Sequence, residues 1–140
     1  MAIKFCSEDI AFPALDVKQI SIWLQGVAAV YEKKIGVINY LFCSDEYILK
    51  VNNQYLQHDY YTDIITFDYS ERNTVAGDIF ISLETVKSNA EAYGVDFREE
   101  LHRVIVHGLL HLCGQNDKLP AERAEMTRKE NAALELTNEK

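Results

Sequence analysis

Apolar positions along this chain switch repeatedly between a two-residue and a roughly 3.6-residue spacing, and the switches mark out its elements. Ile3-Lys4-Phe5-Cys6 alternates as a short strand does, and Phe12-Pro13-Ala14 reads as a connection. Asp16 stands where an N-cap is expected, ahead of a helix from Val17 to about Tyr31 with Val17, Ile20, Leu24 and Val27 on one stripe. Trp23 is expected to join that core. The run from Val37 to Phe42 predicts a strand buried on both faces or nearly so. Ser44 then caps a helix from Asp45 to about Leu56 that carries Ile48, Leu49 and Val51 inwards. Thr62 to Tyr69 and Gly77 to Ser82 read as strands joined by a polar loop at residues 70–74. A helix from Leu83 to Tyr93 stops at Gly94, and Asp96-x-x-Glu99 makes a capping-box-like start for the next helix. Pro120 opens a last amphipathic helix through about Leu136, with Met126 and Leu134 among its inward positions.

Strands fall mostly early and helices late, which is an α+β order of four strands and about five helices. The chain has 140 residues, 48% of them hydrophobic, and two prolines, so residues 1–140 are expected to form a single domain with a real core. No repeat breaks the pattern. No charged leader precedes an apolar segment and no apolar run nears the length of a bilayer span, which predicts a soluble, unprocessed protein. Cys6, Cys43 and Cys113 are odd in number and widely spaced, which favours reduced thiols and a cytoplasmic location. The net charge of −8 opposes non-specific attraction to nucleic acid, so a polyanionic substrate has to be met locally.

Candidate chemistry concentrates between Val104 and Asp117. His107 and His111 are four apart, so on a helix they lie roughly 40° from each other and both imidazoles enter the same volume. Leu101, Val104, Ile105, Val106, Leu109, Leu110 and Leu112 make this helix apolar almost all round, as a buried helix is. Buried imidazoles need partners, and one bound cation supplies a partner to both. Gly114 is positioned to end the helix in a left-handed conformation, which lets Asp117 swing back. The offsets from His107 to His111, Gly114 and Asp117 are those of the metzincin pattern H-E-x-x-H-x-x-G-x-x-H, with aspartate for the last histidine. Two imidazoles and a carboxylate suit one zinc ion and leave a coordination position for water.

The residue after His107 is Gly108, where zinc peptidases carry the glutamate that acts as general base. Glycine moves no proton, and inside a helix it signals close approach by another backbone or a ligand. Arg103 sits one turn before His107; it either reaches a substrate phosphate and assists catalysis or forms a surface ion pair with Glu99 or Glu100. Asp63 and Asp78 either orient a ligand histidine, act as bases, or are solvated strand ends. Cys113 points elsewhere on the helix and is read as core. Lys33-Lys34 and Arg128-Lys129 read as solvated surface ahead of an RNA track.

The segment His107-Gly108-Leu109-Leu110-His111-Leu112-Cys113-Gly114-Gln115-Asn116-Asp117 resembles the YbeY family signature His-Gly-x-Leu-His-Leu-x-Gly-Tyr-Asp-His. It departs at the last three positions, with Gln115, Asn116 and Asp117 for tyrosine, aspartate and the third histidine. Thr62-Asp63-Ile64-Ile65-Thr66-Phe67 and Gly77-Asp78-Ile79 are similar to two further family motifs, and Met126 and Glu130 fall where the family has a methionine and a glutamate. The family's arginine falls at Leu56, which cannot contact phosphate; His58 is the nearest substitute. The resemblance implies a small four-stranded mixed or mostly antiparallel sheet packed by helices. It also implies a zinc-dependent endoribonuclease acting in ribosomal RNA maturation, including the 16S rRNA 3′ end, and in ribosome quality control. The partners then expected are single-stranded RNA and the ribosomal subunit or its proteins, with no DNA and no membrane. Two rivals remain: a zinc hydrolase of another class, such as a peptidase, and a ribosome-assembly factor with a structural metal.

Overall fold

The computed structural model describes residues 2–56 and 62–137. The described residues form four strands and five helices in the order β1 (Ala2–Ser7), α1 (Val17–Val30), β2 (Lys34–Cys43), α2 (Asp45–Leu56), β3 (Ile64–Asp68), β4 (Thr74–Ser82), α3 (Leu83–Tyr93), α4 (Phe97–Leu112) and α5 (Pro120–Glu135). The strands make one mixed sheet in the order β1-β2-β4-β3. β1 and β4 both run parallel to β2, whereas β3 pairs antiparallel with β4 through a hairpin. The fold is therefore α+β with a four-stranded mixed sheet, as the sequence predicts.

Helix ends follow their capping residues. Asp16 accepts from the Gln19 N–H at 3.1 Å, Ser44 Oγ from Tyr47 N–H at 3.1 Å and Ser82 Oγ from Thr85 N–H at 3.3 Å, each satisfying a donor that the helix leaves unpaired. Gly94 closes α3 with φ 69°, a left-handed conformation open to glycine. The expected capping box at α4 does not form: Asp96 is the N-cap, but its side chain makes no cap hydrogen bond.

One face of the sheet carries the main core. Ile38, Tyr40, Phe42, Ile79 and Ile81 point into it, met by Ile20, Leu24 and Val27 of α1 and by Leu101, Ile105 and Leu109 of α4. Trp23 joins this core and donates its indole N–H to the Ala133 carbonyl at 2.8 Å, tying α1 to α5. Tyr40 donates its hydroxyl to the Ile105 carbonyl at 2.8 Å, pinning α4 to the middle of the sheet. Val17, expected on the α1 stripe, stays exposed at the helix start.

The opposite face is covered only in part. There α2 packs Ile48 and Val51 on Cys43 and Ile65, with Tyr47, Phe67 and Phe80 at the margin. Beyond α2 the face is open, and Val37 is 50% exposed. The expectation that β2 is buried on both faces is thus corrected. Its outward positions Val37, Asn39 and Leu41 alternate with the core positions Ile38, Tyr40 and Phe42, and no helix lies over all of them among the described residues. No described helix is long and apolar enough to cross a membrane.

Candidate metal centre

The site is built on α4 and its exit. Ten residues of this helix are buried, so its course is fixed by the core and its histidines can only point where packing leaves room. Gly108 lies against the sheet: a Cβ there would stand 3.0 Å from Cδ1 and Cγ2 of Ile79 and 3.1 Å from Cδ1 of Ile64. The close approach inferred from this glycine is real, but the neighbours are strand side chains, not a backbone or a ligand. The same geometry shows why no catalytic glutamate stands here, since a side chain at position 108 would enter the helix–sheet interface.

At the end of α4 the chain turns through a Schellman motif. Gly114 has φ 104°, its N–H donates to the His111 carbonyl at 3.0 Å, and the Gln115 N–H donates to the Leu110 carbonyl at 3.0 Å. Ser70 of the β3–β4 hairpin contributes its hydroxyl to the Leu112 carbonyl at 3.5 Å. Gln115, which departs from the signature, clasps the exit loop to α5: its Nε2 donates to the carbonyls of Asn116 at 2.8 Å and Glu122 at 3.3 Å. The loop so held returns Asp117 to the histidines.

His107 Nε2 lies 3.2 Å from Asp117 Oδ2, and His111 Nε2 lies 3.4 Å from Asp117 Oδ1. Ligand atoms of all three residues fall within 4.8 Å of one another. Zinc bonded at about 2.0–2.2 Å in tetrahedral geometry sets its ligand atoms about 3.4 Å apart, close to the two histidine–carboxylate separations, which run to different oxygens of Asp117. The side chains are 19%, 33% and 31% exposed, leaving a face of the group accessible. Cys113 is not part of it: the residue packs against the core, and burial pushes its thiol up to about 11.

The other nitrogen of His107 is also engaged. Its Nδ1 lies 2.6 Å from Glu130 Oε2, a carboxylate almost fully buried on α5. Nδ1–H is the donor in this bond, which leaves Nε2 to face Asp117 and any cation. Without a cation, His107 has to hold a proton on each nitrogen to satisfy both carboxylates; with one, the Nε2 proton is displaced. Burial favours the neutral ring, but the hydrogen bond and charge of Glu130, with Asp117 and Asp63, outweigh it and raise the His107 pKa. Burial likewise raises the Asp63 carboxyl, against the pull of nearby His107, and raises Glu100 against that of Arg103. So much negative charge around two imidazoles suits a dication.

Of the other sequence-predicted residues, Asp78 lies away from the site, accepting from Asn39 Nδ2 at 3.0 Å and from the Tyr69 hydroxyl at 3.3 Å. Asp63 is near enough to His107 to interact with its charge. Arg103 engages neither Glu99 nor Glu100 by hydrogen bond; its Nη1 donates to Glu130 Oε1 at 2.9 Å and its Nη2 to Asn131 Oδ1 at 2.8 Å. His58 lies outside the described residues, as does the side chain of Leu56. The sequence marks Glu130 only as a position shared with the family, and its role as the partner of His107 is what sequence reasoning missed. Its signal was a glutamate on the inward stripe of α5, between Met126 and Ala133 at helical spacing.

Comparison with known proteins agrees with this architecture. The family model described as Endoribonuclease YbeY matches residues 6–138. A protein of that name from Parabacteroides distasonis is 60% identical over 139 residues, covering 99% of this chain and 98% of the relative. Another from Bacteroides fragilis is 59% identical, covering 97% of this chain and 98% of the relative. One from Porphyromonas gingivalis is 50% identical, covering 98% and 91%. The solution structure of TM1509 from Thermotoga maritima shares the fold with a TM-score of 0.67 at 24% identity, over 96% of this chain and 88% of that one. With the family matched over nearly its whole length and relatives at this identity, the chain belongs to the Endoribonuclease YbeY family.

Proposed function

We propose that this chain is a zinc-dependent endoribonuclease for single-stranded RNA, with His107, His111 and Asp117 holding one ion. The convergence of these three side chains carries the reading, together with membership of a family whose relatives are named endoribonucleases. A zinc ion held there would acidify water and polarise a phosphoryl oxygen, the two effects that phosphodiester hydrolysis needs. The protein's part is to aim the donors. Glu130 fixes the His107 tautomer, the Gly114 turn brings Asp117 back, and α4, packed against the sheet, keeps both rings in place.

A peptidase reading is less well supported, because position 108 faces the sheet and offers no general base. The substrate we infer is ribosomal RNA, with maturation of the 16S rRNA 3′ end and ribosome quality control as the cellular roles. Residues 1–140 act as one domain in the cytoplasm, and the ribosomal subunit or its proteins are the partners.

The test uses purified protein, zinc-loaded or chelator-stripped, offered single-stranded RNA, duplex RNA and peptide side by side. Cleavage of single-stranded RNA alone, dependent on the ion, is expected. Asp117→Ala should abolish it while the variant still unfolds cooperatively; if that variant instead loses its fold, the ion is structural and the protein a binding factor. Intact RNA after incubation with fully loaded protein would refute the catalytic reading. Cells depleted of the protein should accumulate 16S rRNA with an unprocessed 3′ end.

A further inference from the structure

Arg103 and His107 are one turn apart on α4, and both end on the same carboxylate. Glu130 divides its oxygens between them: Oε1 accepts from Arg103 Nη1 at 2.9 Å and Oε2 from His107 Nδ1 at 2.6 Å. The second guanidinium nitrogen, Nη2, reaches Asn131 Oδ1 at 2.8 Å, so two neighbouring residues of α5 hold the planar group. With Glu130 only 7% exposed, its carboxylate cannot turn towards solvent, and rotating it would break both bonds at once.

From this closed circuit we infer that Arg103 is a positioning residue of the metal centre, acting through Glu130 on His107, and not a ligand for substrate phosphate. The inference rests on His107 being a metal ligand. Arg103 keeps the Glu130 carboxylate oriented so that Oε2 faces Nδ1. That bond keeps the proton on Nδ1 and presents the Nε2 lone pair to the ion. A guanidinium spent on Glu130 and Asn131 has fewer donors left for a phosphate, which a bidentate contact would need in pairs.

Zinc affinity separates the two roles. It would be measured on the whole protein by competition with a chromophoric chelator for wild type, Arg103→Gln, Arg103→Lys, Glu130→Gln and the double variant Arg103→Gln/Glu130→Gln. Loss of the Glu130 charge should weaken zinc about 10–100-fold, the range for partners of metal-bound histidines. Arg103→Gln should weaken it by roughly 5-fold in the wild-type background and by nothing further once Glu130 is glutamine, because the effect passes through that carboxylate. Arg103→Lys keeps the charge and one contact, so its affinity should fall between wild type and Arg103→Gln. It is also the variant to read should Arg103→Gln fail to fold in a metal-free melt. In the zinc-loaded protein, where Nε2 is taken by the ion and the proton sits on Nδ1, the His107 Nδ1 and Nδ1–H shifts should report a weaker hydrogen bond to Glu130 in Arg103→Gln.

A phosphate ligand would behave otherwise: zinc affinity would be unchanged within twofold, and RNA binding would lose about one unit of salt slope. That result, or a full additive effect of Arg103→Gln on top of Glu130→Gln, would overturn the inference while leaving the metal centre standing. Wild-type protein unable to hold zinc would overturn the metal centre and this role together.

Discussion

Replacing Gly108 with alanine sets two terms of opposite sign against each other at the point where α4 meets the sheet. In a helix interior alanine is favoured over glycine by about 1 kcal/mol, so propensity alone makes the variant more stable. Packing opposes this. The new methyl would lie 3.0 Å from two carbons of Ile79 and 3.1 Å from one of Ile64, and each has to give by a few tenths of an ångström. Ile79 is fully buried, and its Cγ2 is fixed to the strand by β-branching, so it moves only with β4 or if α4 lifts away. Overpacking of a filled core costs about 1–3 kcal/mol; taking about 2 leaves the variant roughly 1 kcal/mol less stable, near a 3 °C fall in melting temperature for a chain of this size. Urea unfolding of the chelator-stripped protein measures it without metal linkage. Ile79→Val, which removes the Cδ1 contact, should cost about 1 kcal/mol in wild type and distinctly less in the Gly108→Ala background. Because a lifted α4 carries His107 with it, Gly108→Ala should also bind zinc more weakly. A variant more stable than wild type by the full propensity gain, with the two substitutions additive, would show slack at this interface and refute the reasoning.

Gly77→Ala should be far more damaging. Its Cβ would meet the Phe67 carbonyl oxygen well inside contact distance, and a backbone atom of a paired strand cannot rotate aside. A loss of about 3 kcal/mol or more is expected, read as unfolded or aggregated protein by circular dichroism; a stable variant would contradict the packing of β3 on β4. The pH dependence has a definite sign. His107, Asp63 and Glu100 all have raised pKa values in the folded protein, so these three groups hold their protons more tightly there than in the unfolded chain, whereas Asp9 and Glu125 are shifted downwards. The contribution of the two carboxyls is present below the unfolded value of about 4, that of the imidazole below about 6.5, and each is lost as pH climbs through the folded pKa. Above about pH 5, where Asp9 and Glu125 are ionised in both states, urea midpoints of stripped protein should therefore decline towards neutral pH. The increment added by zinc should grow over the same range, because ligands must be deprotonated to bind. Metal-free stability that rises between pH 6 and 8 would count against this electrostatic account of the site.

Much of this arrangement is legible in the sequence where the determinants are local. Asp16, Ser44, Ser82 and Gly94 announce helix ends because capping uses residues within a turn of the boundary. The convergence of the three candidate ligands is legible for the same reason: helix periodicity pairs the histidines, and one glycine sets the turn that returns Asp117. What escapes the sequence depends on docking. The apolar run of β2 looks two-sided, yet which face is covered depends on where α2 lies. Gly108 signals closeness but not what is close. Arg103 has three acids within reach in sequence or space, and only the seating of α5 on α4 selects Glu130. Asp96 holds the cap position and its spacing to Glu99, but no capping bond follows.

The three candidate ligands all lie between positions 107 and 117, on one helix and the turn leaving it. Bringing them together closes only a short loop, so the entropic cost of assembling the cage is small and is met largely by α4 itself. What holds the three side chains in place comes from the core and from α5, through Gln115 and Glu130, and not from the ion. Stripping and reloading should therefore proceed without global unfolding, leaving the scaffold indifferent to how often the ion is exchanged.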